Sequence, residues 1–138
     1  EVIAESGYRA KLRTGGTTAD AYPSAAEVAE FVLACLDLGI PFKCTAGLHR
    51  AVRHTAAGGS EQHGFLNILA AVATCLDGGD APATVGVLDD RDSAALAARI
   101  RNLDDRRAAS VRRWFTSFGS CSVHEPLEDL IALDLIRE

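Results

Sequence analysis

The sequence predicts an α/β fold on a mostly parallel sheet, and three observations predict it. Residues 8–13 alternate, with Arg9, Lys11 and Arg13 on one side and Tyr8, Ala10 and Leu12 on the other, which is the two-residue period of a strand. Val28, Phe31, Val32, Cys35 and Leu36 then recur at helical spacing. The order of strand then helix recurs along the rest of the chain, and such alternation builds parallel sheets.

Each element has its own signals. Thr14-Gly15-Gly16 ends the first strand in a turn where glycine frees the backbone. Ser24 caps the first long helix, Glu27 closes a capping box with it, and Gly39 is the stop. Residues 40–45 form the second strand, and a long loop occupies 47–64. The apolar run Phe65–Leu76, interrupted by Asn67 and Thr74, reads as a buried helix that ends at Gly78-Gly79. Residues 83–88 read as a short third strand, and 93–103 as a helix with Leu96, Ile100 and Leu103 turned inward. Asp104-Asp105-Arg106-Arg107 reads as solvated surface, residues 110–113 extend a helix, and 114–118 form a fourth strand running into Gly119-Ser120-Cys121. The last helix places Pro126 at its first position, Glu128 and Asp129 in its first turn, and Leu127, Leu130, Ile131 and Leu135 on its buried stripe. Four such βα units are half of a (β/α)₈ barrel, and polar motifs after the strands favour that architecture. An open doubly wound sheet shares the pattern and stands as the alternative.

Composition narrows the function. The 138 residues are one domain's worth of chain, read here as a single α/β domain over 1–138, with 48% hydrophobic and 24% charged residues. No apolar run reaches the ~18 residues of a membrane span, and no signal-peptide pattern opens the chain. A net charge of −5 argues against nucleic acid or an anionic membrane as a general partner. The chain lacks methionine and opens on what reads as the tail of a helix, so the expectation is the carboxy-terminal fragment of a longer protein. Cys35, Cys44, Cys75 and Cys121 are well separated with no C-x-x-C pair, which suits a reducing cytoplasm.

Against that acidic background, Lys43, His49, Arg50, Arg53, His54 and His63 crowd into one stretch. Local cations in an acidic chain point to one held anion. Lys11 and Arg13 project to one side of the first strand, as Lys43 and Thr45 do from the second, so these groups converge if those sides face the ligand edge. Gly15, Gly16 and Gly47 would let backbone N–H groups approach the same anion. Ser117 and Ser120, ending the fourth strand, add donors, and Arg53 and His54 add cations. The competing account puts Arg9, Lys11 and Arg13 on a solvated edge strand, where lysine deters aggregation. His49, His54 and His63 with Cys44 follow no zinc-ligand spacing, and Arg50 and Arg53 oppose a cation, so no metal and no cofactor are assigned. Cys121 three residues before His124 admits an activated thiol, but the same residues suit a tight strand-to-helix turn.

Two resemblances add to this reading. Phe42-Lys43-Cys44-Thr45-Ala46-Gly47 and Ala10-Lys11-Leu12-Arg13-Thr14-Gly15-Gly16 resemble the two lysine-bearing strands of deoxyribose-phosphate-type class I aldolases, here in the opposite order along the chain. That resemblance implies a Schiff-base lysine at Lys43 and a supporting cation at Lys11. Over nearly the whole chain, Lys11-x-Arg13-Thr14-Gly15-Gly16, Pro41-Phe42-Lys43-x-Thr45-Ala46-Gly47-Leu48-His49, Gln62-His63-Gly64-Phe65-Leu66-Asn67 and Ser117-Phe118-Gly119-Ser120-Cys121 resemble the carboxy-terminal half of an uncharacterised bacterial protein family, which implies no activity.

The expected function is an enzyme, or half of one, acting on a small phosphorylated or carboxylated metabolite. Lys11, Arg13 and Arg53 would hold the anion, with Thr45, His54, Ser117 and Ser120 assisting. Lys43 would be the reactive amine, and His49 or His63 would transfer the proton. A homodimer or a missing amino-terminal half would cover the open sheet edges. The alternatives are a non-catalytic subunit that binds an anion or completes a barrel, and a metal-dependent hydrolase.

Overall fold

A computed structural model describes residues 2–137. A short helix α1 (Val2–Glu5) precedes strand β1 (Ala10–Arg13), and a single 3₁₀ turn (Ala19–Ala21) leads to helix α2 (Ala25–Asp37). Strand β2 (Phe42–Thr45) is followed by a two-residue hairpin, β3 (His54–Thr55) and β4 (Glu61–Gln62), inside the predicted long loop. Helices α3 (Phe65–Leu76), α4 (Ala81–Leu88), α5 (Ser93–Arg101) and α6 (Asp105–Trp114) then run in succession. Strand β5 (Phe115–Gly119) and helix α7 (His124–Ala132) complete the described chain. The α/β class holds: β1, β2 and β5 form a three-stranded parallel sheet in that order, flanked by helices.

Three local expectations are corrected. Residues 83–88 are helix, not strand, so the sheet has three strands where four βα units were expected. The Asp80 side chain accepts a hydrogen bond from Ala83 N and Pro82 sits in the first turn, so cap chemistry outweighs the strand preference of Val85 and Val87. The Asp104–Arg107 run, read as plain surface, starts α6: Asp104 is its N-cap, accepting from Arg107 N at 2.8 Å, and Trp114 ends that helix rather than opening the strand. Helix α7 begins at His124, which puts Pro126 in its third position, where proline's missing N–H is still tolerated. Elsewhere local chemistry acts as read. Ser24 and Glu27 form a complete capping box, with Ser24 N donating to Glu27 Oε2 at 2.7 Å and Glu27 N to Ser24 Oγ at 3.2 Å.

The sheet is covered on one side only. Ala10, Phe42, Cys44 and Phe115 are buried, whereas Lys11, Arg13, Lys43 and Ser117 are exposed. Behind the sheet, all five phenylalanines make one continuous chain of ring contacts. Phe31 of α2 meets Phe42 edge-on at 5.3 Å, Phe42 stacks on Phe115 at 5.4 Å, Phe115 lies 6.2 Å from Phe118, and Phe118 stacks on Phe65 of α3 at 5.0 Å. Phe115 and Phe118 are three residues apart and would leave a regular strand on opposite faces. A bulge prevents that: Phe42 pairs with Phe115 and Lys43 with Ser117, so Thr116 is the extra residue, and its hydroxyl donates to Phe42 O at 3.1 Å.

Helix α3 is the central post of the helical layer and is apolar nearly all round. Its one fully buried polar residue, Asn67, is saturated. Oδ1 accepts from Arg53 N at 2.8 Å, and Nδ2 donates to Val87 O at 3.0 Å and Asp90 O at 2.7 Å. One amide thereby ties the loop after β2 to the end of α4. Asn67→Ala removes three hydrogen bonds, leaves the half-buried Arg53 N and Asp90 O without partners while Val87 O keeps Asp90 N, and should cost about 2–3 kcal/mol in a denaturant titration followed by circular dichroism. A loss below half of that would mean the loop and α4 are joined by other contacts.

Candidate anion site at the carboxyl edge of the sheet

Twelve of the chain's basic residues are arginines and only two are lysines, Lys11 and Lys43. The parallel register places those two directly beside each other, Lys11 opposite Lys43, with Ser117 the next in the row. Arg13, Thr45 and Gly119 form the row above, nearer the carboxyl ends of the strands. Neighbouring strands lie about 4.8 Å apart, so two ammonium groups share one open face. Among the described residues neither lysine has a carboxylate within 4.0 Å or a side-chain hydrogen bond. By contrast Arg50, Arg53, Arg91 and Arg107 each have an acidic partner. Like charges at this spacing repel by about 1 kcal/mol in water, and a ligand anion set between them turns that repulsion into attraction.

The loops above the lysines are tightly built. Ala46, Gly47 and Leu48 follow β2 with φ of 64°, 70° and 53°, three successive left-handed residues of which only one is glycine. The two others cost roughly 1–2 kcal/mol each, and such strain concentrates where a loop has a task. Thr14, itself buried, holds the turn in place by donating its hydroxyl to Ala46 O at 2.6 Å. Gly15 and Gly47 meet backbone to backbone: a Cβ on Gly47 would stand 2.8 Å from Thr14 O, and one on Gly15 2.9 Å from Gly47 Cα. The N–H groups of Gly15, Gly47 and Leu48 meet no acceptor among the described residues and lie at the edge where the lysine face ends. Arg13 bends over this edge, its Nε donating to Gly15 O at 2.9 Å, and the Tyr22 hydroxyl donates to Gly16 O at 2.9 Å. Arg13 therefore braces the glycine turn, with its guanidinium beside Gly16 and acting on the Asp20 carboxylate.

Comparison with family models, with curated proteins and with solved structures finds no match.

The geometry divides the cationic stretch into two groups. Lys11, Arg13, Lys43, Thr45 and Ser117 share the sheet face, and the half-buried Ser120 follows at the end of β5, accepting from Ser122 N at 3.4 Å. Arg53, His54 and His63 belong to a separate network beside the β3–β4 hairpin. Arg53 and His54 line a cleft of about 480 Å³ together with Arg50, Arg91 and Asp129, and neither lysine reaches it. Arg53 is already occupied there, with Nε 3.5 Å from Asp89 Oδ1 and 3.8 Å from Glu61 Oε2 and a guanidinium nitrogen 2.9 Å from His63 Nδ1. Glu61 is held below the usual carboxylate range first by the Thr55 hydroxyl, then by Arg91 and Arg53. His54 donates Nδ1–H to Val52 O at 3.1 Å. Among the described residues no three His, Cys, Asp or Glu side chains converge as a metal site requires, and no helix is long and apolar enough to cross a membrane.

His63 is a structural histidine by its contacts. It is 1% exposed, and Nε2 donates to Pro23 O at 2.7 Å, which leaves Nδ1 as the acceptor for Arg53. Burial lowers its pKa first of all; the Pro23 carbonyl opposes that and the Arg53 charge adds to it. His49 is placed differently. It directly follows the left-handed turn, is about one-third exposed, and its Nδ1 lies 3.0 Å from Glu125 Oε2 on α7. Sequence reasoning missed Glu125. The available signal was its four-residue spacing from Asp129, which puts two carboxylates on one helix face. Asp129 uses both oxygens on the same loop, accepting from Arg50 at 3.1 Å and from Ala51 N at 2.8 Å. Among the cysteines, burial pushes the Cys35 thiol up to about 11 and Cys44 up to about 12, which leaves both as inert core thiols, while Cys121 is exposed and free.

Two outcomes follow. A folded-state pKa below the unfolded value of about 6.5 favours neutral His63, so its contribution is complete above pH 6.5 and is lost as pH falls through the folded pKa. Stability should therefore decline below pH 6.5 with a slope of up to about 1.4 kcal/mol per pH unit from this residue, and His63→Gln should flatten that slope in urea titrations at several pH values. Gly47→Ala, forced against Thr14 O, should cost about 1–3 kcal/mol and loosen the turn. An unchanged urea midpoint in that variant would show that the turn is not held as described.

Proposed function

We propose that the chain binds a small phosphorylated or carboxylated carbonyl compound on the open face of the sheet, with Lys43 as the amine that attacks it. One observation carries this reading: the only two lysines of the chain are register neighbours on that face and have no carboxylate partner among the described residues. Lysine, unlike arginine, can act as a nucleophile toward a carbonyl carbon. Lys11 and Arg13 would face the anion, and the N–H groups of the Gly15 and Gly47 turns would approach it from the strand ends. The neutral Lys43 amine adds its lone pair to the carbonyl carbon, the carbonyl oxygen takes one proton from that nitrogen and one from solvent and leaves as water, and the iminium ion that remains is the electron sink for a lyase or aldolase step. Arg53, His54 and His63 are left out of this site because each is engaged in the hairpin network.

A second reading rests on the sheet's unpaired outer strands. β1 and β5 each lack a neighbour on one side among the described residues, so the three strands would serve as part of a larger wall completed by another copy or by further chain. Binding an anion without turnover suits that role. Borohydride reduction in the presence of glycolaldehyde phosphate separates the two. The first reading expects a reduced adduct of one ligand per chain on the peptide containing Lys43. Lys43→Arg should abolish it, with a stability change below about 1 kcal/mol because the side chain is exposed. Equal labelling of Lys11 and the amino terminus, or none at all, would favour the non-catalytic role.

A further inference from the structure

We infer that Glu125 is the positioning residue of a carboxylate–imidazole pair in which His49 Nε2 is the proton-transfer atom of the site. The inference rests on the reading of Lys43 as an imine-forming amine and adds to it the base which that chemistry requires.

His49 and Glu125 stand 76 residues apart in the chain and are brought together by the return of α7 over the loop after β2. An ionised carboxylate can only accept, so the 3.0 Å contact requires the proton on Nδ1. The neutral ring then carries its lone pair on Nε2, and Nε2 has no partner among the described residues. His54 and His63 do not have this arrangement: His54 gives its Nδ1–H to a carbonyl with no carboxylate behind it, and both His63 nitrogens are engaged in the interior. An imidazole oriented through one nitrogen by a carboxylate and free at the other is the arrangement of a general base.

The position of the pair is also fixed. His49 is the first residue after the left-handed turn Ala46–Gly47–Leu48, on the edge where β2 ends. One helical turn beyond Glu125, Asp129 holds Arg50 and the backbone N–H of Ala51. Two carboxylates of α7 thus grip three consecutive residues, so the ring is held through its neighbours as well as directly. In the proposed step, Nε2 takes the proton from the carbon next to the iminium. The C–H electron pair forms the new C=C bond and the iminium pair returns to Lys43 nitrogen, giving a neutral enamine. The proton on His49 is later returned to carbon.

Two measurements on the full chain test this. Nitrogen-15 shifts of the imidazoles report the tautomer without any ligand. Nδ1–H is expected for neutral His49 in the unaltered chain, and Glu125→Ala should move it to the Nε2–H form that a free imidazole prefers. An Nε2–H tautomer in the unaltered chain, or no change in the variant, would overturn the pair. The second measurement is deuterium exchange at the α-carbon of glycolaldehyde phosphate in heavy water. Exchange should fall about 100-fold or more in His49→Ala and about 10-fold in Glu125→Ala, with partial recovery in Glu125→Asp. Exchange at the unaltered rate in Glu125→Ala would sink the positioning role. If borohydride traps nothing at Lys43 in the unaltered chain, the Lys43 reading fails and the proton transfer with it, while the tautomer still decides whether the pair exists.

Discussion

Five phenylalanine rings in unbroken contact decide which way this sheet faces. Phe42 cannot leave the stack between Phe31 and Phe115 without opening the space between α2 and the strands. Because a strand alternates, seating Phe42 and Cys44 inward sends Lys43 and Thr45 outward. The Thr116 bulge extends the same constraint to β5: it lets Phe115 and Phe118 both join the stack and resets the strand so that Ser117 comes up beside Lys43. The polar row on the open face is thus fixed from behind by apolar packing. Burying such rings contributes more than any polar contact in the row can oppose.

The edge above that row is stabilised by different means. Three left-handed residues in succession raise the energy of the loop, and their neighbours offset it. Thr14 accepts the cost of burial and binds Ala46 O, Leu48 is itself 1% exposed, and α7 holds the next three residues through Glu125 and Asp129. Asn67 does the same for Arg53 further along. The loop after β2 is therefore anchored at intervals by groups from the turn after β1, from α3 and from α7. A strained turn fixed from three elements keeps its backbone N–H groups pointing in constant directions, which is what preorganised recognition of an anion requires.

How much of this was legible in the sequence depended on the range of the interaction. The capping box at Ser24, the alternation of β1 over Ala10–Arg13 and the inward stripe of α2 are local and formed as read. Tyr8 and Arg9, read as the start of the same strand, lie outside it, and Tyr8 is exposed. Residues 83–88 were misread because Val85 and Val87 show a strand-like pattern, while the deciding signal was the cap three residues upstream at Asp80. The lysine row was half legible. Alternation placed Lys11 and Lys43 on sheet faces, but their direct opposition depends on register, which no single strand encodes. The histidines could not be ranked from sequence at all. His49, His54 and His63 look alike in one short stretch, and only tertiary contacts with Glu125, Val52 and Pro23 distinguish an open imidazole from an occupied one.

The division between arginine and lysine in this chain carries the chemical argument furthest. Arginines hold the hairpin, the α7 clamp and the α3–α6 contact through Arg53, Arg50 and Arg107, each beside a carboxylate. Those tasks suit a planar group that stays charged and binds in two directions at once. Among the described residues the two lysines hold nothing. A side chain kept for solubility on an exposed face would serve equally well as arginine, which the chain uses six times more often. What lysine offers instead is a compact amine that can lose its proton. With two side by side, one can meet a carbonyl while the other faces the anionic group of the same ligand. The residue choice, the register and the lack of carboxylate partners among the described residues therefore support the proposed role, an amine that meets a ligand rather than one that braces the fold.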